Sequence, residues 1–210
     1  MPRPPVPATP EVPATPKGRR GRQRLLDAAT EVLAREGFGG ASIARITEQA
    51  GVPKRMVVYY FGTREALLAT VLEGIADRIA ATAAANAPEA AEPPQAVAAW
   101  FDALWTGATG NPEIPRAYFA LIGGNWTDVT RDALDQTRRS FTAVLDSLIQ
   151  TCLRAGFALE GDRDGFELFA LSLTRGLLLE WIEAGDTPAL RHARTYVEQT
   201  LAAAFVPAPG

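Results

Sequence analysis

Apolar residues recur at helical spacing along almost the whole chain. The first clear stripe is Leu25, Leu26, Ala29, Val32 and Leu33, and Gly37 ends it. Short helices are predicted over 42–50 and from about 53 to 61, and a fourth begins at Thr63. The Ala/Pro-rich stretch at 80–94 is expected to be a fraying helix end followed by a loop. Further helices are predicted at about 94–108, 113–123, 127–155, 162–184 and 187–205. No segment alternates with period 2, so the pattern predicts an all-α fold without a sheet.

The first residues have a different composition. Residues 1–16 hold seven of the 16 prolines and show no apolar periodicity, which predicts a disordered tail over 1–18. The tail runs into the basic stretch Lys17–Arg24, for which we expect a flexible arm.

Charge divides the chain into two parts. Residues 1–66 carry 11 Lys/Arg and six Asp/Glu, a net of +5, whereas residues 67–210 carry a net of −8. A basic module on an acidic body favours a polyanionic partner, whose attraction would depend on salt. Charge alone leaves a second interpretation equally open, namely a solvated basic face without a partner.

The segment Ser42–Phe61 carries the most specific pattern. Two short helices joined at Gly51 form a helix-turn-helix, a motif whose second helix can enter the major groove of DNA. Thr47 is small enough for the helices to approach, and Val57 locks the second helix. The apolar face that packs on the first helix comprises Ile43, Ile46, Val52, Val57 and Phe61. The residues left facing outward are Lys54, Arg55, Met56 and Tyr59.

Residues 24–68, and above all AGVPKRMVVYYFGTREALL, resemble the DNA-binding domain of the TetR family of transcriptional regulators. The matching points are the Gly37-Phe38 break, the Ser42 cap, the Ala50-Gly51-Val52 turn, Lys54, Tyr60-Phe61 and Thr63–Leu68. The resemblance implies an N-terminal three-helix helix-turn-helix DNA-binding domain over 19–66, followed by a larger helical ligand-binding and dimerisation domain over 67–210. It further implies a homodimer that binds a palindromic operator of double-stranded DNA and represses transcription. A small-molecule effector would release this repressor from the operator.

The resemblance also implies roles for individual residues. Lys54, Arg55 and Tyr59 would face base edges or nearby phosphates, since Lys and Arg pair with guanine and a ring can meet a thymine methyl. The residues that would lie along the DNA backbone are Ser42, Met56, Tyr60, Thr63 and Arg64. Ser42 and Thr63 stand at helix N-termini, where free N–H groups favour phosphate.

Two positions depart from the family pattern. Met56 stands where the family often has Thr or Ser, and Val58 where it often has Tyr, so neither side chain can hydrogen-bond to phosphate. We therefore hypothesise that Arg19, Arg20 and Arg22 supply backbone affinity by following the adjacent minor groove. The alternative is a basic tail that only aids solubility.

The segment Phe166–Ile182 is apolar nearly all round, so it must be covered on both sides. Gly176 in its middle costs helix stability unless a close approach compensates. We expect a dimer interface formed by the helices at about 162–184 and 187–205. The alternative is one deep core helix in a monomer.

An effector pocket is predicted from aromatic and apolar residues of the body. These residues are Trp100, Phe101, Leu104, Trp105, Tyr118, Phe119, Trp126 and Phe141. The candidate polar anchors are Asp102, Asn125, Thr174 and Arg175. Asp102 among rings suits a cationic ligand, whereas Arg175 suits an anionic one, and plain hydrophobic core remains a third interpretation.

Several classes of function are disfavoured. With one cysteine, Cys152, and one histidine, His192, the chain offers no Cys/His metal cluster, and no cofactor motif is seen. We expect a buried, inert Cys152 thiol, a surface or interface His192, and no enzyme activity. No apolar run is long enough for a membrane span and none resembles a signal peptide, so a cytoplasmic protein is expected. Two other functions remain as alternatives: a DNA-binding or scaffold protein controlled by a protein partner, and a helical enzyme.

Overall fold

The computed structural model describes residues 15–86, 88–124 and 127–208. Across these residues the chain forms nine α-helices and two three-residue strands, which confirms the predicted all-α class. The elements are α1 (Pro16–Gly40), α2 (Ile43–Ala50), α3 (Arg55–Phe61), α4 (Arg64–Asn86), α5 (Pro93–Thr109), α6 (Glu113–Ile122), α7 (Asp128–Arg154), β1 (Phe157–Leu159), α8 (Arg163–Ala184), α9 (Pro188–Ala202) and β2 (Phe205–Pro207).

Helix α1 begins earlier than the composition predicted. Thr15 caps it, its Oγ1 accepting a hydrogen bond from the Gly18 backbone N–H at 3.1 Å, and Pro16 occupies the first helical turn. The basic stretch Lys17–Arg24 is therefore helical, and the expectation of a flexible arm was wrong. A Thr-Pro start followed by Lys, Arg and Gln, which favour helix, explains the difference. Most of the predicted tail, residues 1–14, lies outside the described residues.

The stretch at 80–94 agrees with the prediction of a helix end followed by a loop. Helix α4 continues to Asn86, and α5 begins at Pro93. Alanine is the strongest helix former, so the alanine-rich run stays helical as far as Asn86. The break of α1 at Gly37 is confirmed, because this residue has φ of 70° and interrupts the helical conformation.

Two short strands were not predicted. β1 and β2 pair antiparallel in the register Phe157↔Pro207, Ala158↔Val206 and Leu159↔Phe205. Two further backbone hydrogen bonds of 2.8 Å, from Glu160 N to Ala204 O and from Ala208 N to Gly156 O, flank the ladder. Strands of three residues are too short for an alternating pattern to be visible in the sequence.

The chain packs as two compact units. The first comprises the described residues up to Ile75 together with Arg116–Gln136, and the second comprises Ala76–Pro115 with the described residues from Thr137 onward. In the second unit α9 packs against both α5 and α8. The fully buried residues of the first unit include Leu25, Val32, Leu33, Ile46, Val57, Leu67, Leu68 and Leu72, and those of the second include Val97, Phe101 and Leu201. The boundaries between the units along the chain fall within α4, α6 and α7.

In the described part of the chain, no helix combines the length with the apolar character that a bilayer crossing requires.

Candidate nucleic-acid interface and ligand cavity

The turn between α2 and α3 has the predicted geometry. Ser42 caps α2, its Oγ accepting from Arg45 N at 3.3 Å. Gly51 ends α2 in the left-handed region, at φ of 63° and ψ of 38°, where a side chain would be strained. Val52 N then donates to Thr47 O at 3.1 Å and closes the turn. Local sequence signals therefore set the direction in which α3 leaves the turn.

Buried side chains hold α3 in place. Val57 is fully buried and Phe61 is 2% exposed, while Thr47 is buried and donates its hydroxyl to Ile43 O at 2.7 Å. The Arg22 guanidinium lies 4.9 Å from the centre of the Phe61 ring, so α1 covers this side of α3. Of the five apolar residues predicted to pack here, Ile46, Val57 and Phe61 are buried, whereas Ile43 and Val52 are half-buried.

The opposite side of α3 faces solvent. Lys54, Arg55 and Tyr59 are exposed, as predicted, and Tyr59 is 71% exposed. Val58 is also exposed, at 62%, whereas Met56 is half-buried. We call Lys54, Arg55, Val58 and Tyr59 the recognition face. It combines two cations with an aromatic ring and an apolar side chain, and these groups can meet guanine edges and thymine methyl groups.

Tyr60 does not lie on this face. Its side chain is only 6% exposed, and its ring packs edge-to-face on Tyr59 with the ring centres 4.9 Å apart. Its hydroxyl lies so close to Gly21 that a Cβ added there would be 2.7 Å from it. The resemblance implied a contact between Tyr60 and the DNA backbone. In this chain Tyr60 is instead a packing residue between α1 and α3.

Arg64 is likewise engaged within the protein. Its Nε donates to Ala41 O and its Nη2 to Phe38 O, both at 2.6 Å. Its guanidinium lies 4.7 Å from the centre of the Phe38 ring. Arg64 therefore ties the start of α4 to the segment that follows the Gly37 break. This correction replaces the expected phosphate contact with a structural one.

Thr63 does have the predicted setting. It is exposed, and its Oγ1 accepts from Ala66 N at 3.0 Å, so it caps the first turn of α4. With Ser42, the first unit therefore presents two exposed helix caps next to the helix-turn-helix. Helix N-termini of this kind offer partial positive charge to anions.

The three arginines of α1 differ from the arm that was hypothesised. Arg19 and Arg20 are exposed, whereas Arg22 is half-buried over Phe61. All three lie within the α-helix. A helix about 10 Å wide cannot follow a minor groove about 6 Å wide as an extended arm does. The structure therefore replaces the extended arm with a helix, and the contact of these arginines with DNA stays a prediction.

Arg45 was not singled out in the sequence. Its Nε donates to Glu36 Oε1 at 3.1 Å, and its Nη1 donates to Glu48 Oε2 at 2.7 Å. The hydrogen bond from Arg45 lowers the pKa of Glu36. Glu36 and Arg45 lie on different helices, so no helical spacing in the sequence points to the pair. The contact orients α2 against the end of α1.

The second unit contains a cavity of about 170 Å³. Its described lining residues are Ala80, Ala83, Ala84, Pro88, Ala96, Trp100, Ala143, Val144, Ser147, Leu148 and Thr151. We call it the alanine cavity, since five of these residues are alanines from α4, α5 and α7. Ala84 and Ala143 are exposed and mark its mouth, whereas Trp100 and Thr151 are buried. Of the residues predicted for an effector pocket, the described lining includes Trp100.

Asp102 and its neighbouring rings already have a cation from the chain itself. The Arg194 guanidinium lies 5.5 Å from the centre of the Phe101 ring and 4.7 Å from that of Trp105. Its Nη2 is 3.5 Å from Asp102 Oδ1. This arrangement removes the basis for a cationic ligand at Asp102. Sequence spacing gave no sign of it, because Arg194 lies on α9 and the others lie on α5.

The remaining predicted pocket residues are dispersed. Leu104 is buried in the second unit, and Tyr118 and Phe119 form an edge-to-face pair in the first. Thr174 is buried and donates its hydroxyl to Ala170 O at 2.8 Å. Phe141 and Arg175 are half-buried, and none of these residues is among the described lining residues of the cavity. Asn125 and Trp126 lie outside the described residues.

The lone cysteine and histidine have ordinary settings. Cys152 is buried, and burial raises its pKa to about 11, so the thiol is protonated at neutral pH, as expected for an inert residue. His192 is exposed. The described residues contain no group of three or more His, Cys, Asp or Glu side chains arranged to hold a metal ion.

Helix α8 buries one side in its own unit. Phe166, Ala170 and Leu177 face the core. Its other side exposes Leu168 (58%), Phe169 (44%) and Leu179 (42%). We call these three residues the apolar patch. Near them, a Cβ added at Gly176 would meet no described atom within 4 Å. Within one chain, therefore, α8 is covered on one side only.

The helix-turn-helix region is similar to that of known bacterial regulatory proteins. Residues 25–71 match the family model described as bacterial regulatory proteins, tetR family. Over 94 residues the chain is 35% identical to the HTH-type transcriptional repressor NicS of Pseudomonas putida, covering 45% of this chain and 44% of that protein. Over 96 residues it is 30% identical to the HTH-type transcriptional repressor SCO4008 of Streptomyces coelicolor, covering 46% of each. The chain thus spans a little under half the length of these curated relatives.

The likeness of fold extends much further along the chain. The crystal structure of the transcriptional regulator FadR from Bacillus subtilis, in complex with stearoyl-CoA, superposes with a TM-score of 0.74. It covers 87% of this chain and 98% of that one, at 18% sequence identity. At this identity the comparison shows that both units share the fold of that regulator.

Proposed function

We propose that the chain is a member of the TetR family of bacterial regulatory proteins, and that it is a dimeric transcriptional repressor which a small-molecule effector releases from a palindromic operator. The recognition face carries this proposal. Its two cations and its one aromatic ring are exposed, and the buried residues Val57 and Phe61 anchor the other side of α3. Two of the curated relatives that match this region, NicS and SCO4008, are named transcriptional repressors, which supports the direction of control.

Each exposed group of the interface has a chemical role in this proposal. Lys54 and Arg55 pair with guanine O6 and N7, and Tyr59 and Val58 contact thymine methyl groups. Ser42 lies at the N-terminus of α2 and Thr63 at that of α4, and the backbone N–H groups there receive phosphates. A second set of phosphate contacts comes from the exposed Arg19 and Arg20 of α1. These contacts offset the absence of a hydrogen-bonding group at Met56 and Val58.

Two such interfaces act together in a homodimer. The apolar patch of α8 exposes hydrophobic side chains to water, and burying them against a second copy of the chain would stabilise a dimer. The open space at Gly176 allows close approach of a second α8. Two-fold symmetry would then present two α3 helices to operator half-sites about 34–36 Å apart, one helical turn of DNA.

Effector binding releases the operator in this proposal by a shift between two states. The effector must bind the DNA-incompetent state more tightly than the DNA-binding state, since equal affinity would leave the populations of the two states unchanged. The alanine cavity is the proposed effector site. The protein needs no catalytic residue for this role and works on DNA in the cytoplasm.

The test is operator binding by the full chain. Random duplex DNA is selected on the purified protein at physiological salt, and an enriched inverted repeat is expected. Lys54→Ala/Arg55→Ala should then weaken binding to that repeat by more than about thirtyfold, because each lost base contact is worth roughly 1–3 kcal/mol. Arg78→Ala/Arg138→Ala, which removes the same charge from exposed positions of the second unit, should leave affinity within about twofold.

Two results would contradict the proposal. Equal loss of affinity in both double variants would mean that only overall charge matters, and the recognition face would have no role. Binding without enrichment of any sequence would favour the alternative of a DNA-binding scaffold controlled by a protein partner.

A further inference from the structure

We propose that the effector is a small uncharged molecule, about the size of a substituted benzene ring, with a hydrogen-bond acceptor for Trp100. This inference rests on the proposed function, since it names the class of effector for the alanine cavity. Aryl ketones and phenols belong to this class. Three properties of the cavity support it, namely its volume, the absence of charge among its described lining residues, and one buried donor.

The volume limits the size of the ligand. An engineered protein cavity of about 150 Å³ holds benzene, and pockets for drug-sized ligands have about 300–1,000 Å³. At about 170 Å³, the volume of the alanine cavity is close to that of the cavity that holds benzene. The stearoyl-CoA bound by the structurally similar FadR is far larger than this space. Likeness of fold therefore does not extend to the size of the ligand.

The lining limits the charge of the ligand. The described lining residues include no Asp, Glu, Lys or Arg, and most are alanine or aliphatic. An ion entering such a site would lose its hydration without gaining a partner of opposite charge. In the same unit, the Arg194 guanidinium is engaged by the rings of Phe101 and Trp105 and by Asp102. The site therefore favours a neutral molecule.

One polar group of the lining lacks a partner. Trp100 is 7% exposed, and its buried indole Nε1–H has no hydrogen-bond acceptor among the described residues. Thr151, the other buried polar side chain of the lining, donates its hydroxyl to Pro88 O at 3.0 Å. A buried donor without an acceptor is costly, and indole Nε1 can only donate. The Nε1 atom itself is covered, so in this proposal the indole ring turns toward the cavity, and a ligand that brings a carbonyl or phenolic oxygen to it would satisfy the donor.

Three variants isolate these properties. Trp100→Phe removes the N–H and keeps an aromatic ring. Ala83→Leu adds bulk at a buried lining residue, which is 4% exposed, whereas Ala85→Leu adds the same bulk at an exposed position of α4. The probes are acetophenone, ethylbenzene and benzoate, which share a ring and differ in acceptor and charge. Binding to the full-length protein is measured by titration calorimetry up to the solubility limit of each probe.

We expect acetophenone and ethylbenzene to bind and benzoate to bind at least tenfold more weakly. Trp100→Phe should weaken the binding of acetophenone about fivefold more than the binding of ethylbenzene, because only acetophenone loses a hydrogen bond. Ala83→Leu should abolish binding of both, and Ala85→Leu should change neither. Ethylbenzene controls for the change in shape that Trp100→Phe introduces.

Four results would overturn the inference. They are equal weakening of acetophenone and ethylbenzene by Trp100→Phe, benzoate binding as tightly as acetophenone, full binding by Ala83→Leu, and no binding of either neutral probe. Selection of random duplex DNA on the same protein separates this failure from that of the proposed function. An enriched inverted repeat without probe binding would refute only the effector class. Probe binding without any enriched sequence would refute only the repressor proposal.

Discussion

The helix-turn-helix of the first unit and the helical body of the second unit use their side chains in opposite ways. In the first, the candidate site is polar and exposed, and Val57 and Phe61 beneath it are almost completely buried. In the second, both candidate sites are apolar: the apolar patch of α8 and the alanine cavity. The candidate DNA site therefore depends on the buried side chains that hold α3 in place. The candidate ligand site depends on the space that small side chains leave between helices.

The two regions also differ in how far they resemble other proteins. Residues 25–71 match a family model, and the 94 residues aligned with NicS are 35% identical. The fold of FadR from Bacillus subtilis covers 87% of the chain but at 18% identity. Many apolar sequences can fill a helical core, so a likeness of fold at 18% identity does not fix which residues line a cavity. The ligand must therefore be inferred from the lining of this chain.

The largest expected effect contrasts two phenylalanines. Phe61→Ala should lower the free energy of unfolding by about 3–5 kcal/mol, because the ring is 2% exposed and holds α3. Phe169→Ala removes the same ring from α8, where it is 44% exposed, and should cost about 1 kcal/mol or less. Chemical denaturation of the monomer measures both, at a protein concentration low enough that no dimer contact of Phe169 adds to its loss.

Self-association distinguishes the same two variants. Phe169→Ala should weaken dimerisation in sedimentation velocity, since the apolar patch is the proposed interface. Unchanged association of Phe169→Ala would count against that interface. Comparable losses of stability in both variants would break the contrast between an anchored recognition helix and an uncovered α8.

A smaller effect contrasts two glycines. Gly51→Ala should destabilise the protein by about 1–2 kcal/mol, because φ at this turn is 63° and a Cβ is strained there. Gly74→Ala should instead stabilise it by about 1 kcal/mol, since Gly74 lies inside α4 and an added Cβ meets no described atom within 4 Å. Thermal denaturation of the two variants should show shifts of opposite sign. Shifts of the same sign would mean that the turn geometry does not limit stability.

The smallest effect concerns Glu198 of the second unit. Its Oε1 lies 3.9 Å from Arg194 Nη2 on the same helix. Burial raises the pKa of Glu198 above 4.5, against the attraction of Arg194 and with a smaller contribution from Asp102. The folded protein therefore binds this proton more tightly than the unfolded chain does.

Because of this difference, stability is lost as pH rises from 4.5 through the raised pKa of Glu198. Glu198→Gln should remove that loss, so the variant should match the parent below pH 4.5 and be slightly more stable at neutral pH. Thermal melting at both pH values measures the difference. Glu183→Gln, at an exposed position of α8, is the control and should leave the pH dependence of melting unchanged. A variant less stable than the parent at neutral pH would show that the attraction to Arg194 outweighs burial.

Much of the fold could be predicted because its signals are local. Ser42, Gly51 and Gly37 each act within a few residues, through a cap, a turn and a helix break. Periodic apolar residues then located most of the helices. The error at Lys17–Arg24 came from giving composition more weight than helix propensity.

The candidate site was predicted less evenly. The exposed side of α3 follows from helical periodicity, so Lys54, Arg55 and Tyr59 were placed correctly on the surface. Tyr60 and Arg64 were not, because their partners, Gly21 and Phe38, lie far away in the sequence. A resemblance can assign a role to a position, but it does not show which contacts this chain makes there.

The sequence by itself determined that the chain is helical, that it carries a helix-turn-helix of the TetR type, and which residues of α3 face outward. These properties depend on spacings within a few turns of helix. Only the tertiary structure decided that Arg194 covers the rings of Phe101 and Trp105, and that alanines of α4, α5 and α7 leave a space beside Trp100. Those contacts join residues that are distant in the chain. Periodicity shows that a side chain is buried, but packing alone decides what it is buried against.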